Sequence, residues 1–193
     1  MLELNTLAQP LAKLLASPSE VVLVALLIAA AVIDWRTYRI PNWLTVGGMA
    51  FGLLYNAAAH GLTAGLLPAL GGLGIGLVLL LPLYALRVMG AGDVKLMAMV
   101  GAFIGSSGIL YAVLFTFIAG GVAALAFGIY RRAVRRMAGN VVDIVRFMTF
   151  AAVAGFRPQP AVAGRTSIGK LPYGISIAAG TMAWLAARQM GYA

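Results

Sequence analysis

The stretch "RVMGAGDVKLMAMVGAFIG" (residues 87–105) sets one aspartate, Asp93, behind two glycines at the mouth of a long apolar run. Lys95 follows, and from Leu96 to Tyr130 there are 35 residues without a charge. At about 1.5 Å per helical residue, that run is longer than one membrane crossing. The "GSSG" at 105–108 is the natural break. The spacing therefore predicts a short buried helix at 94–104 and a longer one at 108–130. An acid at the edge of such a segment is costly to keep and needs a reason.

The rest of the chain belongs to the same regime. Of its 193 residues, 62% are hydrophobic and 10% charged, where a soluble domain carries roughly a quarter charged residues. This composition excludes a soluble globular domain and predicts an all-α, multi-span integral membrane protein. No second compositional regime appears, so residues 1–193 are read as one domain, with 1–18 as an outer N-terminal segment and 131–171 as a basic cytoplasmic loop. The net charge is +9, but in a membrane protein basic residues mostly report orientation, and nucleic acid is not an expected partner. The absence of cysteine excludes disulfides, thiol nucleophiles and Cys-ligated zinc. The N-terminus, "MLELNTLAQPLAKLLASPSE", lacks the basic start of a secretory signal and is expected to be retained.

A helix needs roughly 20 apolar residues to cross. Candidate spans start near Ser17 and run to Asp34, then cover 43–59, 61–86, the two segments on either side of "GSSG", and 172–188. That makes about six membrane helices, with the short one directly after the glycine-flanked aspartate. If the first span ends inside the cell, the loops 34–42, 87–95 and 131–171 are cytoplasmic. They then hold all of the 14 Lys and Arg residues except Lys13 and Arg188. The positive-inside rule thus puts both termini outside. Arg131, Arg132, Arg135 and Arg136 read as a stop signal and a contact for anionic lipid. "FMTFAAVAGF" (147–156) is too short to span and reads as an interfacial or re-entrant segment.

Of five acids, Glu3 and Glu20 fall on the outer side, and Asp143 sits among arginines in the basic loop. Asp34 and Asp93 remain, each at a cytoplasmic end of an apolar segment, so the topology sets them at one depth on one side. Asp93 begins its helix, where a carboxylate is favoured and could serve only as a cap. Asp34 ends its helix, where the dipole disfavours it. A pair explains both. Two neighbouring carboxyls share a proton; one activates water as general base while the other donates a hydrogen bond to the scissile carbonyl. That is peptide hydrolysis without a cofactor or metal. Which Asp takes which role stays open, because the pair titrates as a unit. Gly90 and Gly92 let the backbone bend and a substrate chain approach.

These residues resemble a known family. "GAGDVKL" (90–96) is similar to the GxGD motif of the type IV prepilin peptidases, which are membrane aspartyl endopeptidases. "DWRTYRIPNWLT" (34–45) resembles the segment around that family's first catalytic aspartate, with Pro41 and Asn42 in its Ile-Pro-Asn. "KLPYGISIAAG" (170–180) resembles its late Pro-Tyr-Gly motif, here Pro172, Tyr173 and Gly174. The resemblance implies that Asp34 and Asp93 are catalytic, with Gly90, Gly92, Lys95 and the Pro-Asn and Pro-Tyr-Gly residues as substrate or backbone motif positions. It also implies removal of the leader from a prepilin or pseudopilin on the cytoplasmic face of the bacterial inner membrane, in the service of pilus biogenesis or secretion. Longer members carry a cytoplasmic region with paired CxxC motifs and also methylate the new N-terminus. This chain has neither cysteine nor such a region, so it is similar to the small stand-alone peptidases of tight-adherence (Flp-type) pili, and no methyltransferase activity is expected. Archaeal preflagellin peptidases share the arrangement.

Other signals carry less. "GRTSIGK" (164–170) matches seven positions of a phosphate-binding loop, but Leu171 stands where Ser or Thr would bind magnesium, so no nucleotide is expected. Gly72 and Gly76 form a small-xxx-small pair suited to close helix packing. Met89, Met97 and Met99 read as packing residues. Lys95 reads as snorkelling to lipid headgroups, with contact to an acid on the substrate as the sharper reading. Lone His60 reads as a loop residue without a ligand role. Trp35, Trp43 and Tyr38 suit an interfacial belt. The readings from other classes are a proton-coupled small transporter or channel, against which the edge position of both acids argues, and a non-catalytic scaffold in pilus assembly.

Overall fold

Ser17 and Pro18 open the first described helix, α1 (Pro18–Thr37), with proline in its first turn, where no N–H bond is lost. The computed structural model describes residues 17–86, 88–130, 139 and 172–191. Residues 1–16, 87, 131–138, 140–171 and 192–193 lie outside them. Outside with them are Lys13, the arginine cluster, Asp143, "FMTFAAVAGF" and "GRTSIGK".

Helix α1 stops at Tyr38, which takes the left-handed conformation (φ 52°, ψ 31°) and donates its N–H to the Asp34 carbonyl at 2.8 Å. Proline 41 disfavours helix for Ile40 before it, so the chain turns and restarts as α2 (Asn42–Gly61). A π-helical turn, Leu62–Leu66, joins α2 to α3 (Leu67–Ala85). Helix α4 (Ala91–Tyr130) follows the glycine-flanked motif, and α5 (Tyr173–Gln189) closes the described fold. No strand occurs among the described residues.

Two glycines divide the longest helical stretches. Gly61 (φ 79°) breaks the run from α2 into α3, and Gly105 (φ 76°) breaks α4. Gly105 is the first residue of "GSSG", so the break falls where the sequence places it. The limb before it is the centre of the fold: Leu96, Met97, Ala98, Met99 and Val100 are fully buried. Three stretches are long and apolar enough to cross a membrane: Pro18–Thr37, Asn42–Ala85 and Ala91–Tyr130. The six membrane helices expected from sequence are not confirmed by this count. The reason is geometric. At 17 residues α5 is short for a span, and the 44- and 40-residue stretches each run about twice the length of one crossing as single helical tracts interrupted at a glycine.

Packing follows from small residues. A Cβ on Gly72 would stand 2.6 Å from the Gly105 carbonyl carbon and collide with the Gly101 carbonyl oxygen. One on Gly76 would stand 2.7 Å from the Met97 carbonyl oxygen. Helices α3 and α4 therefore approach backbone to backbone, as the small-xxx-small pair implies. Asn56 ties α2 to the same limb, donating from Nδ2 to the Ala102 and Phe103 carbonyls at 3.1 and 3.3 Å. Met89, Met97 and Met99 are buried, as packing residues should be, and Trp35, Trp43 and Tyr38 are exposed. Helix α5 runs antiparallel to α1. At one end Arg188 pairs with Glu20, and Gln189 donates to Glu20 at 2.9 Å; at the other, Gly174 meets Asp34.

Candidate active site

The end of α1, the loop 38–41 and the starts of α2, α4 and α5 gather at one end of the bundle. Asp93 is the third residue of α4, and Gly90 precedes the helix. The Gly90 N–H donates to Asp93 Oδ2 at 3.0 Å, while the Asp93 N–H donates to the Gly90 carbonyl at 3.1 Å. This is one half of a capping box, with the acid reaching back to an otherwise unpartnered donor. The cap read from sequence as the plain role of Asp93 is thus present.

Asp34 has a cap role that the sequence hides. It stands at the unfavourable end of its own helix, but its Oδ2 accepts the Gly174 N–H at 2.8 Å, and the bond is buried. Gly174 is the second residue of α5. The carboxylate therefore faces the positive end of a neighbouring helix, where a charge is favoured by about 0.3–1 kcal/mol, and by up to about 2 in partly buried settings.

Both acids are almost wholly buried, Asp34 at 5% exposure and Asp93 at 8%. They line one cavity of about 240 Å³ together with Gly90, Gly92, Tyr38 and Ile40. A water takes about 30 Å³ of liquid, so the cavity has room for one beside a peptide group. In each acid the Oδ2 is held by a backbone N–H, which fixes how the carboxyl faces the cavity.

Ile40 locks the three sequence motifs together. A Cβ on Gly92 would stand 3.1 Å from Ile40 Cβ. One on Gly174 would stand 3.1 Å from Ile40 Cδ1 and 2.9 Å from Asp34 Oδ2. Glycine at both positions lets the isoleucine of Ile-Pro-Asn seat between the two helix starts. Reasoning from sequence quoted that isoleucine but did not place it among the site residues; a buried apolar residue in a short polar loop was the available signal. Tyr38 and Arg39 also line the cavity and were likewise not named as site residues.

The remaining motif residues fall around this core. Pro41 and Pro172 stand at the N-caps of α2 and α5. Lys95 donates from Nζ to Asn42 Oδ1 at 2.9 Å. This exposed bond ties the start of α4 to the start of α2, a contact that neither the headgroup nor the substrate reading of Lys95 named. Tyr173 opens onto a neighbouring apolar cavity.

A model of the type IV leader peptidase family matches residues 21–125. The chain belongs to the type IV leader peptidase family. The match includes Asp34 and Asp93 and ends before Pro172, so the place of Pro172–Gly174 in the site rests on the Asp34–Gly174 bond. No curated protein and no solved structure gave a match. Membership makes this leader peptidase a protease of that type, and its apolar helices suit a membrane protein.

Proposed function

We propose that this leader peptidase is a membrane aspartyl endopeptidase that removes the leader from Flp-like type IV prepilins or pseudopilins. Asp34 and Asp93 activate the attacking water between them. The observation that carries this reading is their meeting in one cavity, buried and each fixed by a backbone N–H. One carboxylate takes a proton from water as the oxygen attacks the scissile carbonyl; the other, as the acid, hydrogen-bonds the carbonyl oxygen and then supplies a proton to the leaving amine. No covalent intermediate, metal or cofactor is required.

The site faces the cytoplasm in this reading, the chain crosses the bacterial inner membrane about six times, and lipid surrounds it. The support is the distribution of Lys and Arg along the sequence and the two glycine breaks, each in a stretch long enough for two crossings. The protein acts without methylating the new N-terminus. The test is the mass of a co-expressed prepilin's N-terminus with and without this protein. Loss of the leader supports the reading, an added methyl group contradicts its last part, and an intact leader contradicts the whole.

A further inference from the structure

A second cavity, of about 230 Å³, opens beside the aspartate cleft, with Leu83, Met89, Thr116, Phe117, Gly121 and Tyr173 in its walls. It adjoins the site through two neighbours in the chain. Met89 precedes Gly90, which holds Asp93, and Tyr173 precedes Gly174, which holds Asp34.

Two features set this cavity apart from ordinary packing defects. Thr116 is 2% exposed, and its Oγ1 has no hydrogen-bond partner among the described residues. A buried hydroxyl without a partner forfeits about as much as a hydrogen bond contributes, so Thr116 is a donor free to take a carbonyl brought into the cavity. Gly121 lies in the same wall with open space where a Cβ would stand, and Gly120 is beside it, 3.7 Å from the Tyr173 ring by the same measure. A glycine floor admits the backbone of a visiting helix, as small residues do between membrane helices.

We propose that this cavity receives the apolar helix of the substrate next to its scissile bond, with the Thr116 hydroxyl donating to a carbonyl released by local unwinding. The proposal rests on the peptidase reading. A helical peptide bond must leave its helix to be cut, and in an apolar setting the freed carbonyl then needs a donor. Thr116 is an unused donor in the wall of the same cavity as Met89 and Tyr173, the chain neighbours of Gly90 and Gly174. An acyl chain would fill the space but leave the hydroxyl unpaired. The chain's own apolar segment 147–156, outside the described residues, is the rival occupant.

Steady-state cleavage of a prepilin by Thr116→Val and Gly121→Leu tests this, beside the same prepilin shortened to lack its apolar helix. The expected result is a rise in KM of about tenfold for the full substrate, the worth of one hydrogen bond, with a smaller change in kcat. The penalty shrinks when the helix is missing, as coupling between contacting groups requires. Thr116→Val should melt no lower than the wild type, since it removes an unpaired group. Equal penalties on both substrates, or a lowered melting point, would assign the cavity to the protein's own packing and overturn the proposal.

Because the chain has no cysteine, a second measurement needs no catalysis. Gly121→Cys in an Asp34→Asn background should form a disulfide with a cysteine in the substrate's apolar helix. Val122→Cys, exposed and turned away from Gly120, should not. Crosslinking without cleavage by the wild type would sink the peptidase reading and keep the docking site. Cleavage without crosslinking would do the reverse.

Discussion

Asp34 and Gly174 are 140 residues apart and meet through a buried hydrogen bond of 2.8 Å. The bond explains an acid at the wrong end of its own helix: Asp34 caps α5 rather than α1. It also makes Gly174 the residue that orients one of the two candidate catalytic carboxyls. An alanine there would bring a methyl group to 2.9 Å from Asp34 Oδ2 while keeping the N–H. Gly174→Ala is expected to lower kcat by about 10- to 100-fold, because small displacements of a reacting group are that costly, with KM changed little. Unchanged kcat would mean that the Asp34 carboxyl is not set by this contact.

Ile40 is 8% exposed and seated between Gly92 and Gly174. Ile40→Ala should destabilise the fold by about 2–5 kcal/mol, as other buried isoleucine truncations do, and reduce cleavage at temperatures where the protein stays folded. Thermal unfolding in detergent measures the first, and prepilin processing the second. Ile40→Val, which keeps the branch at Cβ, should recover most of both.

The contrast between Gly72 and Gly74 tests how α3 meets α4. Gly72 has no room for a Cβ, whereas Gly74 has nothing within 4 Å of one. Gly72→Val is therefore expected to abolish accumulation of folded protein in the membrane, and Gly74→Val to accumulate at wild-type level. Equal levels would mean that the two helices do not pack backbone to backbone.

Much of this was legible in the chain because each cue is local. Uncharged length gave the all-helical, apolar character, "GSSG" gave the break at Gly105, and the Gly72/Gly76 spacing gave a close helix contact, though not that α4 makes it. Asp93 carried its own signal, since the glycine that it caps is three residues away. The partner of Asp34 did not, because Gly174 lies 140 residues further along the chain and contributes only an N–H, which every residue but proline has. Ile40 was hidden for a related reason. Its role depends on the absence of side chains at two distant glycines, and no spacing rule reports an empty space between helices. The number of crossings was hard to read because a tract of 40 residues fits one long helix or two short ones, and only backbone geometry tells where it divides.

The Lys95–Asn42 bond spans two helix starts at a solvent-accessible rim. Lys95→Met should cost less than about 1 kcal/mol of stability, the usual worth of an exposed polar contact. Its effect on cleavage should be matched by Asn42→Ala and not doubled in the double variant, because both remove the same bond. Additive losses would show that Lys95 acts on the substrate instead.

The most direct test is the N-terminal mass of a co-expressed prepilin in cells carrying the wild type, Asp34→Asn or Asp93→Asn. An asparagine oxygen still accepts from Gly174 or Gly90, so each variant keeps its cap and loses only the ionisable group. The account predicts a shortened pilin with the wild type and a full-length precursor with either variant, all three proteins being present in the membrane at similar levels. Cleavage at wild-type rate by either variant would contradict it.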